Sequence, residues 1–412
     1  MSFFWVLKPL LIFFNKKFGE REKNWKIIFN KVTQGVSNPR LNKVIWIHSA
    51  SMGEFEQAKP IIEEIKRRNP EHFIVATFFS PSGYENQKNY KFADSILYLP
   101  FDFFWNVKKF LDNIQPDIAI FIRYEYWLNY LYELKKRRVP TFLVSATQPY
   151  RNISWFYKLF LKRCLNYFTK IFVMDEKDIT FFQKMRLDVP LSLEYDTRFD
   201  RVYFNIQNLN NPILHKEIFE GELIIVAGSI WEKDAELIIS TKEMLKDRVN
   251  LKIIYVPHEP TGKIIDFIEN NDKNIVRFSN LLHFEENKRM SLIKGSNILV
   301  DRIGYLLALY SIADIAYVGG GFGRGVHSVI EPAGYFIPIV CGGNVSNSID
   351  AINLKNLGGL FLVQNEKEFV DTINYLFDKK NYTKVSNIVK NYFLPRIGSS
   401  KRIVDILYKY IN

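Results

Sequence analysis

A chain of 412 residues, 47% hydrophobic and 24% charged, is globular and long enough for two cores, which excludes disordered and fibrous classes. Its formal charge of +12 points to an anionic partner, whether nucleic acid, anionic lipid or a phosphorylated substrate, and charge alone does not choose among them. Two distant cysteines, Cys164 and Cys341, form neither a zinc motif nor a disulfide framework, so a reducing cytoplasm is the simpler setting.

More than half of the basic surplus lies at the start. Residues 1–50 carry nine Lys or Arg against two acids. Within them, "FFWVLKPLLIFF" (Phe3 to Phe14) is apolar and aromatic but broken by Lys8 and Pro9. A bilayer span needs about 20 apolar residues, so this run does not cross one. No small-residue cleavage site follows, which argues against a signal peptide. Two readings fit: a segment lying in the membrane interface, and a helix packed on its own domain.

Beyond residue 40, strand-like apolar runs alternate with helical patterns. "KVIWIHS", "HFIVATFFS", "DIAIFIRYE", "TFLVSA" and "KIFVMD" come first. The rhythm weakens at the Asn-rich stretch Asp200 to Glu222, read as a linker, and resumes with "ELIIVAGS", "LKIIYVPHE" and "DIAYVGGG". Runs apolar on both faces predict parallel sheets covered by helices, hence an α/β fold of two Rossmann-like domains. Ligands of such sheets bind beyond the carboxyl ends of the strands, so the loops after strands are the ones to inspect.

The first is "IWIHSASMGE", where Glu54 opens a predicted helix with apolar positions at Phe55, Ala58, Ile61, Ile62 and Ile65. Pro60 should kink that helix or disturb its first turns. Glu54 is either a partner of the helix dipole or a general base facing a ligand, and first-turn acids are common enough that the residues by themselves favour the former. In "IRYEYWLN", Glu125 sits among Arg123, Tyr124, Tyr126 and Trp127, suited either to binding a sugar or to pairing with the arginine.

"AGSIWEKD" and "VPHEP" follow strands of the second half and bring Ser229, Pro257 and His258 to the same edge. The strongest local signal is "AYVGGGFGRGVHSVIEP". Gly319, Gly320 and Gly321 would let backbone N–H groups approach a phosphate, with Arg324 beside them and a helix predicted from about Ser328. The spacing is neither a dinucleotide fingerprint nor a Walker loop. Ser328 and Glu331 fit a capping box; the alternative is Glu331 on a ribose. Six histidines and two cysteines form no metal-ligand cluster, and no nucleophile elbow is present.

Taken in order, "WIHSASMGE", "TFFSPSGYE", "YLPFD", "PDIAIFIRYEYWLN", "DTRFDRV", "AGSIWEKDAE", "LLALYSIADIAYVGGGF" and "HSVIEPAGYFIPIVCG" resemble the transferases of 3-deoxy-D-manno-octulosonic acid (Kdo), over residues 40 to 400. The resemblance implies a GT-B glycosyltransferase, with two Rossmann-like domains facing across a cleft. It implies inverting transfer of Kdo from CMP-Kdo to a lipid A precursor (lipid IVA), in lipopolysaccharide synthesis at the cytoplasmic face of the inner membrane of a Gram-negative bacterium. On this reading residues 1–30 are a membrane-interface segment, 31–205 bind the acceptor, 206–385 bind the donor and 386–412 form a C-terminal helical segment.

The resemblance also implies that Glu54 is the catalytic base and that Glu125 is a second essential acid. Ser51, Gly53 and Arg123 fall on the acceptor side. Ser229, Pro257, His258, Gly319, Gly320, Gly321, Arg324, Ser328 and Glu331 fall on the CMP side. Relatives often carry Pro-Arg-His where this chain has Pro257-His258-Glu259, so a phosphate-binding arginine is either missing or supplied from elsewhere, with Arg324 a candidate; they also often carry Asn where it has Ser328. The implied partners are CMP-Kdo, the lipid A precursor and an anionic inner-membrane surface; no cofactor, metal or nucleic acid is implied. Two rivals remain: a GT-B enzyme using a nucleotide-diphosphate sugar on a lipid, and a non-catalytic basic membrane-binding protein.

Overall fold

The computed structural model describes residues 43–148, 154–209, 214–245 and 249–411. The expected membrane-interface segment, residues 1–30, lies outside them. Among the described residues no helix is long and apolar enough to cross a membrane.

The chain forms two units. The first runs up to Arg201 and takes back Arg396 onward; the second is Val202–Pro395. The first holds strands β1 (Val44–Ser49), β2 (Phe73–Phe78), β3 (Ser95–Tyr98), β4 (Ile118–Ile122), β5 (Thr141–Ala146), β6 (Lys170–Val173) and β7 (Leu191–Leu193). They pair in parallel in the order β3-β2-β1-β4-β5-β6-β7. The second holds β8 (Leu223–Ile230), β9 (Leu251–Pro257), β10 (Ile275–Arg277), β11 (Asn297–Leu299), β12 (Ile315–Val318), β13 (Ile339–Gly342) and β14 (Leu360–Val363). Their order is β10-β11-β9-β8-β12-β13-β14, again parallel. This is the α/β GT-B architecture expected from the sequence.

The strands are buried on both faces because side chains alternate between two cores. In β1, Val44 and Trp46 join the cluster with Phe110, Phe121 and Tyr130, whereas Ile45 and Ile47 join Phe55, Ile61 and Ile65 on the opposite face. In β8, Ile225 and Ala227 face one core while Ile224 and Val226 face the other. Strands β3, β7, β10 and β11 are only three or four residues long, too short for a periodic signal.

Three local expectations need correcting. The helix Met52–Arg68 runs unbroken through Pro60, whose ring is buried. Proline's missing N–H costs one backbone bond there, and the apolar packing of Phe55, Ala58, Ile61, Ile62 and Ile65 outweighs it. The stretch read as a linker is partly helical: Arg198–Gln207 is an α-helix and Lys216–Phe219 a short 3₁₀ helix. The C-terminal stretch is not one segment. Helix Lys379–Phe393 belongs to the second unit, and helix Ser399–Ile411 returns to the first, burying Ile403, Val404, Leu407 and Ile411. Asp200 caps that return by accepting the N–H groups of Gly398 and Ser400.

Each sheet has one point where the chain reverses its direction of strand addition. In the first it lies between β1 and β4, in the second between β8 and β12. Loops leaving the carboxyl ends of those neighbours splay apart and leave a crevice.

Candidate functional site

At the switch point of the first unit, β1 ends in His48 and Ser49 and the chain turns through Ala50 and Ser51 into helix Met52–Arg68. Ser51 is extended and caps that helix. Its backbone N–H donates to Glu54 Oε2 at 2.9 Å, and its hydroxyl lies 3.3 Å from the same oxygen. Oε1 accepts no bond among the described residues. Glu54 is half-buried, and Gly53 beside it has open space where a Cβ would stand. Burial raises the Glu54 carboxyl above its ordinary value, and the nearby Glu125 charge raises it further; the Ser51 bond, His48 and Arg123 pull the other way.

Glu125 reaches the same place from β4. Arg123 takes a left-handed backbone (φ 70°), which turns the chain at the strand end and carries Glu125 inward until 7% remains exposed. Its Oε2 accepts the Trp127 indole N–H at 2.5 Å and faces His48 Nε2 at 3.0 Å. His48, wholly buried, has Nδ1 at 3.1 Å from the Thr77 carbonyl and 2.9 Å from its hydroxyl. Two tautomers satisfy these contacts: Nδ1–H towards the Thr77 carbonyl, or Nε2–H towards Glu125 with Nδ1 accepting the Thr77 hydroxyl. Arg123 Nε is buried without a hydrogen-bond partner among the described residues, and Tyr124 lies exposed beside it. The set can abstract a proton at Glu54 from a hydroxyl-bearing ligand, with the His48–Glu125 pair as a fixed polar wall.

The second unit repeats the arrangement with different chemistry. Ser229 takes a left-handed backbone (φ 53°) near the end of β8, where the pairing with β9 slips by one residue. Gly319 must be glycine, because a Cβ there would stand 2.3 Å from the Ser229 carbonyl oxygen. Gly320 has φ 92°, a left-handed turn that brings the Gly323 N–H back to its carbonyl at 3.0 Å. Asp234, almost fully buried, ties the two loops: it accepts the N–H groups of Trp231 at 2.9 Å and Gly320 at 3.1 Å, and the Tyr317 hydroxyl at 2.7 Å.

His258 follows Pro257, the buried last residue of β9, and its ring stacks on His327 at 4.1 Å between centroids. Trp231 flanks the stack and its indole N–H donates to His327 Nε2 at 3.2 Å. Burial, then His258, pushes His327 down to about 4. Glu331 is half-buried in the short helix Ile330–Ala333, close enough to Tyr310 and Tyr335 that its charge, after burial, raises both phenols. The Tyr310 hydroxyl in turn packs against Gly228, where a Cβ would come within 2.2 Å.

The structure brings Ser51, Gly53, Glu54, Arg123 and Glu125 to one switch point, and Ser229, Pro257, His258, Gly319, Gly320 and Gly321 to the other. Arg324 and Ser328 are exposed on the glycine-rich loop, and Arg324 has no ion pair among the described residues. The capping box expected of Ser328 and Glu331 does not form. The helix starts two residues later, at Ile330, and is only four residues long. Sequence reasoning named Trp127 only as a neighbour of Glu125 and passed over His48, Thr77, Trp231, Asp234 and His327. His48 and Thr77 are the second-last residues of β1 and β2 and Trp231 directly follows β8, a position that could have found them; Asp234 and His327 lie farther from a strand end.

His327 has a consequence for stability. Its folded value of about 4 lies below the ordinary 6.5, so between those limits the unfolded chain binds more protons. The stabilising contribution is therefore full above pH 6.5 and lost as pH falls towards 4. Discounted for the ring's partial exposure, it amounts to about 1 kcal/mol. Thermal melts of His327→Asn should drop less between pH 7 and pH 5 than wild type by about 2–4 °C; equal drops would show the imidazole is not the titrating group.

Comparison with known proteins gives concordant results. Residues 18–201 match a family model described as 3-deoxy-D-manno-octulosonic-acid transferase (kdotransferase), a region that ends where the first of that unit's two stretches ends. The chain is similar to the 3-deoxy-D-manno-octulosonic acid transferase of Aquifex aeolicus, with 32% identity over 86% of this chain and 92% of the relative. It is similar to the transferase of that name from Haemophilus influenzae, with 26% identity over 89% and 87%. In structure it resembles the UDP-GlcNAc 2-epimerase of Neisseria meningitidis bound to UDP-GlcNAc, with a TM-score of 0.61 at 15% identity over 89% of this chain and all of the other. A likeness at that identity concerns the fold alone.

Proposed function

The chain belongs to the family of 3-deoxy-D-manno-octulosonic acid transferases, and on that premise we propose that it moves Kdo from CMP-Kdo to a lipid A precursor, with inversion at the anomeric carbon. The first unit takes the lipid acceptor, beside Ser51, Gly53 and Arg123. The second takes the donor, with its CMP at the loops carrying Ser229, Pro257, His258, Gly319, Gly320, Gly321, Arg324, Ser328 and Glu331. Glu54 Oε1 accepts the proton of the acceptor hydroxyl as that oxygen forms its bond to the anomeric carbon, and CMP leaves from the opposite face. Glu125 holds the other side of the acceptor site through its pair with His48. The reaction takes place at the cytoplasmic face of the inner membrane, where the acceptor lipid is anchored.

The observation that carries this reading is the Glu54 carboxylate. One oxygen is held by Ser51, the other accepts no bond among the described residues, and the carboxyl's affinity for a proton is raised by burial and by Glu125. A base of that kind is better matched to a hydroxyl than an ordinary surface carboxylate. The glycine loop suits a phosphate monoester through the exposed Arg324 side chain, since the N–H groups of Gly319, Gly320, Gly323 and Gly325 already bond within the unit.

The test is transfer from CMP-Kdo, generated in place, to a tetra-acylated lipid A precursor, read as product mass. Product with CMP-Kdo and inhibition by CMP support the reading. Turnover only with a nucleotide-diphosphate sugar would overturn the donor assignment.

The pH profile checks the base. Only the deprotonated carboxylate accepts a proton, so kcat/KM should rise with pH through the raised Glu54 value, placing the acid limb above the ordinary 4.5. In Glu125→Gln the repulsive neighbour is gone, and the limb of the residual activity should move down while burial keeps it above 4.5. A limb that stays in place in this variant would separate the two carboxylates electrostatically.

A further inference from the structure

The loops that follow β4, β5 and β6 are tied together at one corner of the first unit. Strands β4 and β5 pair Ile122 with Val144, and the Arg123 N–H donates to the Val144 carbonyl at 2.9 Å, so Arg123 and Ser145 are neighbours across the pair. Both take a left-handed backbone, at φ 70° and 55°, and Ser145 sits where the β5–β6 pairing slips. Neither is glycine, so each holds a conformation that L side chains seldom adopt. Just beyond them, the Thr147 hydroxyl donates to the Tyr124 hydroxyl at 2.5 Å. Asp178, in helix Glu176–Lys184, accepts the Gln148 N–H through Oδ1 at 3.0 Å. Burial raises the Asp178 carboxyl, and the Gln148 bond and the Arg123 charge oppose that rise. The same arginine acts on Glu54, which puts this corner beside the carboxylate site already described.

Three side-chain atoms are left over here. Arg123 Nε, Ser145 Oγ and Asp178 Oδ2 are buried and have no hydrogen-bond partner among the described residues. Ser145 is only 1% exposed and Asp178 7%. A buried polar atom without a partner costs stability, so apolar side chains would serve packing better at all three places. Unmet hydrogen bonds and left-handed backbone gathered at one strand edge are the marks of a ligand site.

We propose that Ser145 and Asp178, together with Arg123, form a subsite for the sugar hydroxyls of the acceptor headgroup. Charge selects the ligand. A phosphate would be drawn by Arg123 and repelled by Asp178, and a cation the reverse. A hydroxyl both donates and accepts. Neighbouring sugar oxygens can accept from Arg123 Nε, donate to Asp178 Oδ2, and exchange a bond of either sense with Ser145 Oγ. Held in this way, the sugar keeps its reacting hydroxyl in place for Glu54, which makes Ser145 and Asp178 specificity residues and not catalytic ones. The inference rests on the proposed function only in taking the first unit's ligand to be a sugar.

The test measures binding to the full chain, without donor, by ligand-observed NMR. Two water-soluble probes are used: the deacylated, N-acetylated sugar backbone of a lipid A precursor with its phosphates, and the same sugar with the phosphates removed. Asp178→Asn leaves one acceptor where the carboxylate has two. It should weaken both probes by about tenfold. Ser145→Ala deletes a hydroxyl that bonds nothing among the described residues, so it should weaken both probes by about three- to tenfold with a melting temperature no lower than that of wild type. Variants that bind both probes as wild type does overturn the proposal, and the corner then holds only water. Tighter binding of the phosphorylated probe to Asp178→Asn, with the other probe unchanged, also overturns it and makes the corner an anion site. A wild type that binds neither probe does the same. Turnover plays no part in these measurements. Loss of the proposed function would appear as probes that bind while no Kdo is transferred, and loss of the subsite as transfer that proceeds while the variants bind both probes normally.

Discussion

Glu54→Gln is expected to lower the rate of Kdo transfer by about 10²–10⁴-fold while leaving the protein folded. The two effects separate because the residue has two jobs. As a cap, Glu54 accepts the Ser51 N–H through Oε2, and a glutamine carbonyl can do the same. The charge it offers the helix dipole is worth about 0.3–1 kcal/mol. Against that loss stand the desolvation of the carboxylate and its repulsion by Glu125, both of which the amide relieves. Stability should therefore change by less than about 1 kcal/mol in either direction, measurable as an unchanged melting temperature. As a base, however, an amide cannot take a proton. A folded variant with wild-type turnover would return Glu54 to the role of a helix-end acid; a folded, inactive one would support the base. Measuring kcat and the melting temperature on one preparation decides between them.

The second large effect is structural and lies in the other unit. Asp234→Ala removes an acceptor shared by three buried or partly buried donors: the N–H groups of Trp231 and Gly320 and the hydroxyl of Tyr317. Each unsatisfied group costs about 1–3 kcal/mol, so the loss should be about 3–5 kcal/mol after partial relaxation. On the proposed donor assignment it should also weaken CMP binding, because Asp234 joins the loop after β8 to the glycine loop after β12. Asp234→Asn is the informative contrast. Its carbonyl oxygen can accept both backbone N–H groups where Oδ2 does, and its amide can donate to the Tyr317 oxygen. Burial already raises this carboxyl, so exchanging it for a neutral amide removes a desolvation cost. Asn should retain most of the stability and most of the CMP affinity. Denaturant unfolding of the three proteins, with CMP titrated calorimetrically, checks this. An alanine variant as stable as wild type would mean that water replaces the carboxylate.

Both effects depend on how much of the site could be read before the fold was known. Glu54 and the glycine loop were legible because their signals are local: a carboxylate after Ser-Met-Gly at the mouth of an amphipathic pattern, and five glycines in seven residues after an apolar run. Asp234 was not, since an acid in the first turn of a helix is ordinary in sequence and becomes a tie only when Gly320 lies beside it. Local signals also misled. Ser328 and Glu331 have capping-box spacing, but the backbone becomes helical only at Ile330. Pro60 reads as a kink or a disturbance of the first turns, yet the helix continues through it because its buried face outweighs one missing bond. The Asn-rich stretch reads as a linker, yet Arg198–Gln207 is helical.

The sequence by itself determined the parallel α/β class, the two-unit plan, the loops in which chemistry could lie, and the family. These follow from periodicities of a few residues and from motifs in a fixed order, which any window of the chain displays. Only the tertiary structure decided which loops meet. His48 and Glu125 are 77 positions apart and bond because β1 pairs with β4 rather than with β3. Gly320 and Asp234 are 86 apart and bond because β8 pairs with β12. Strand order is set by the packing of whole helices and sheets, a property no short stretch carries, so the partners of a side chain across the switch point come into view only once the sheet is assembled.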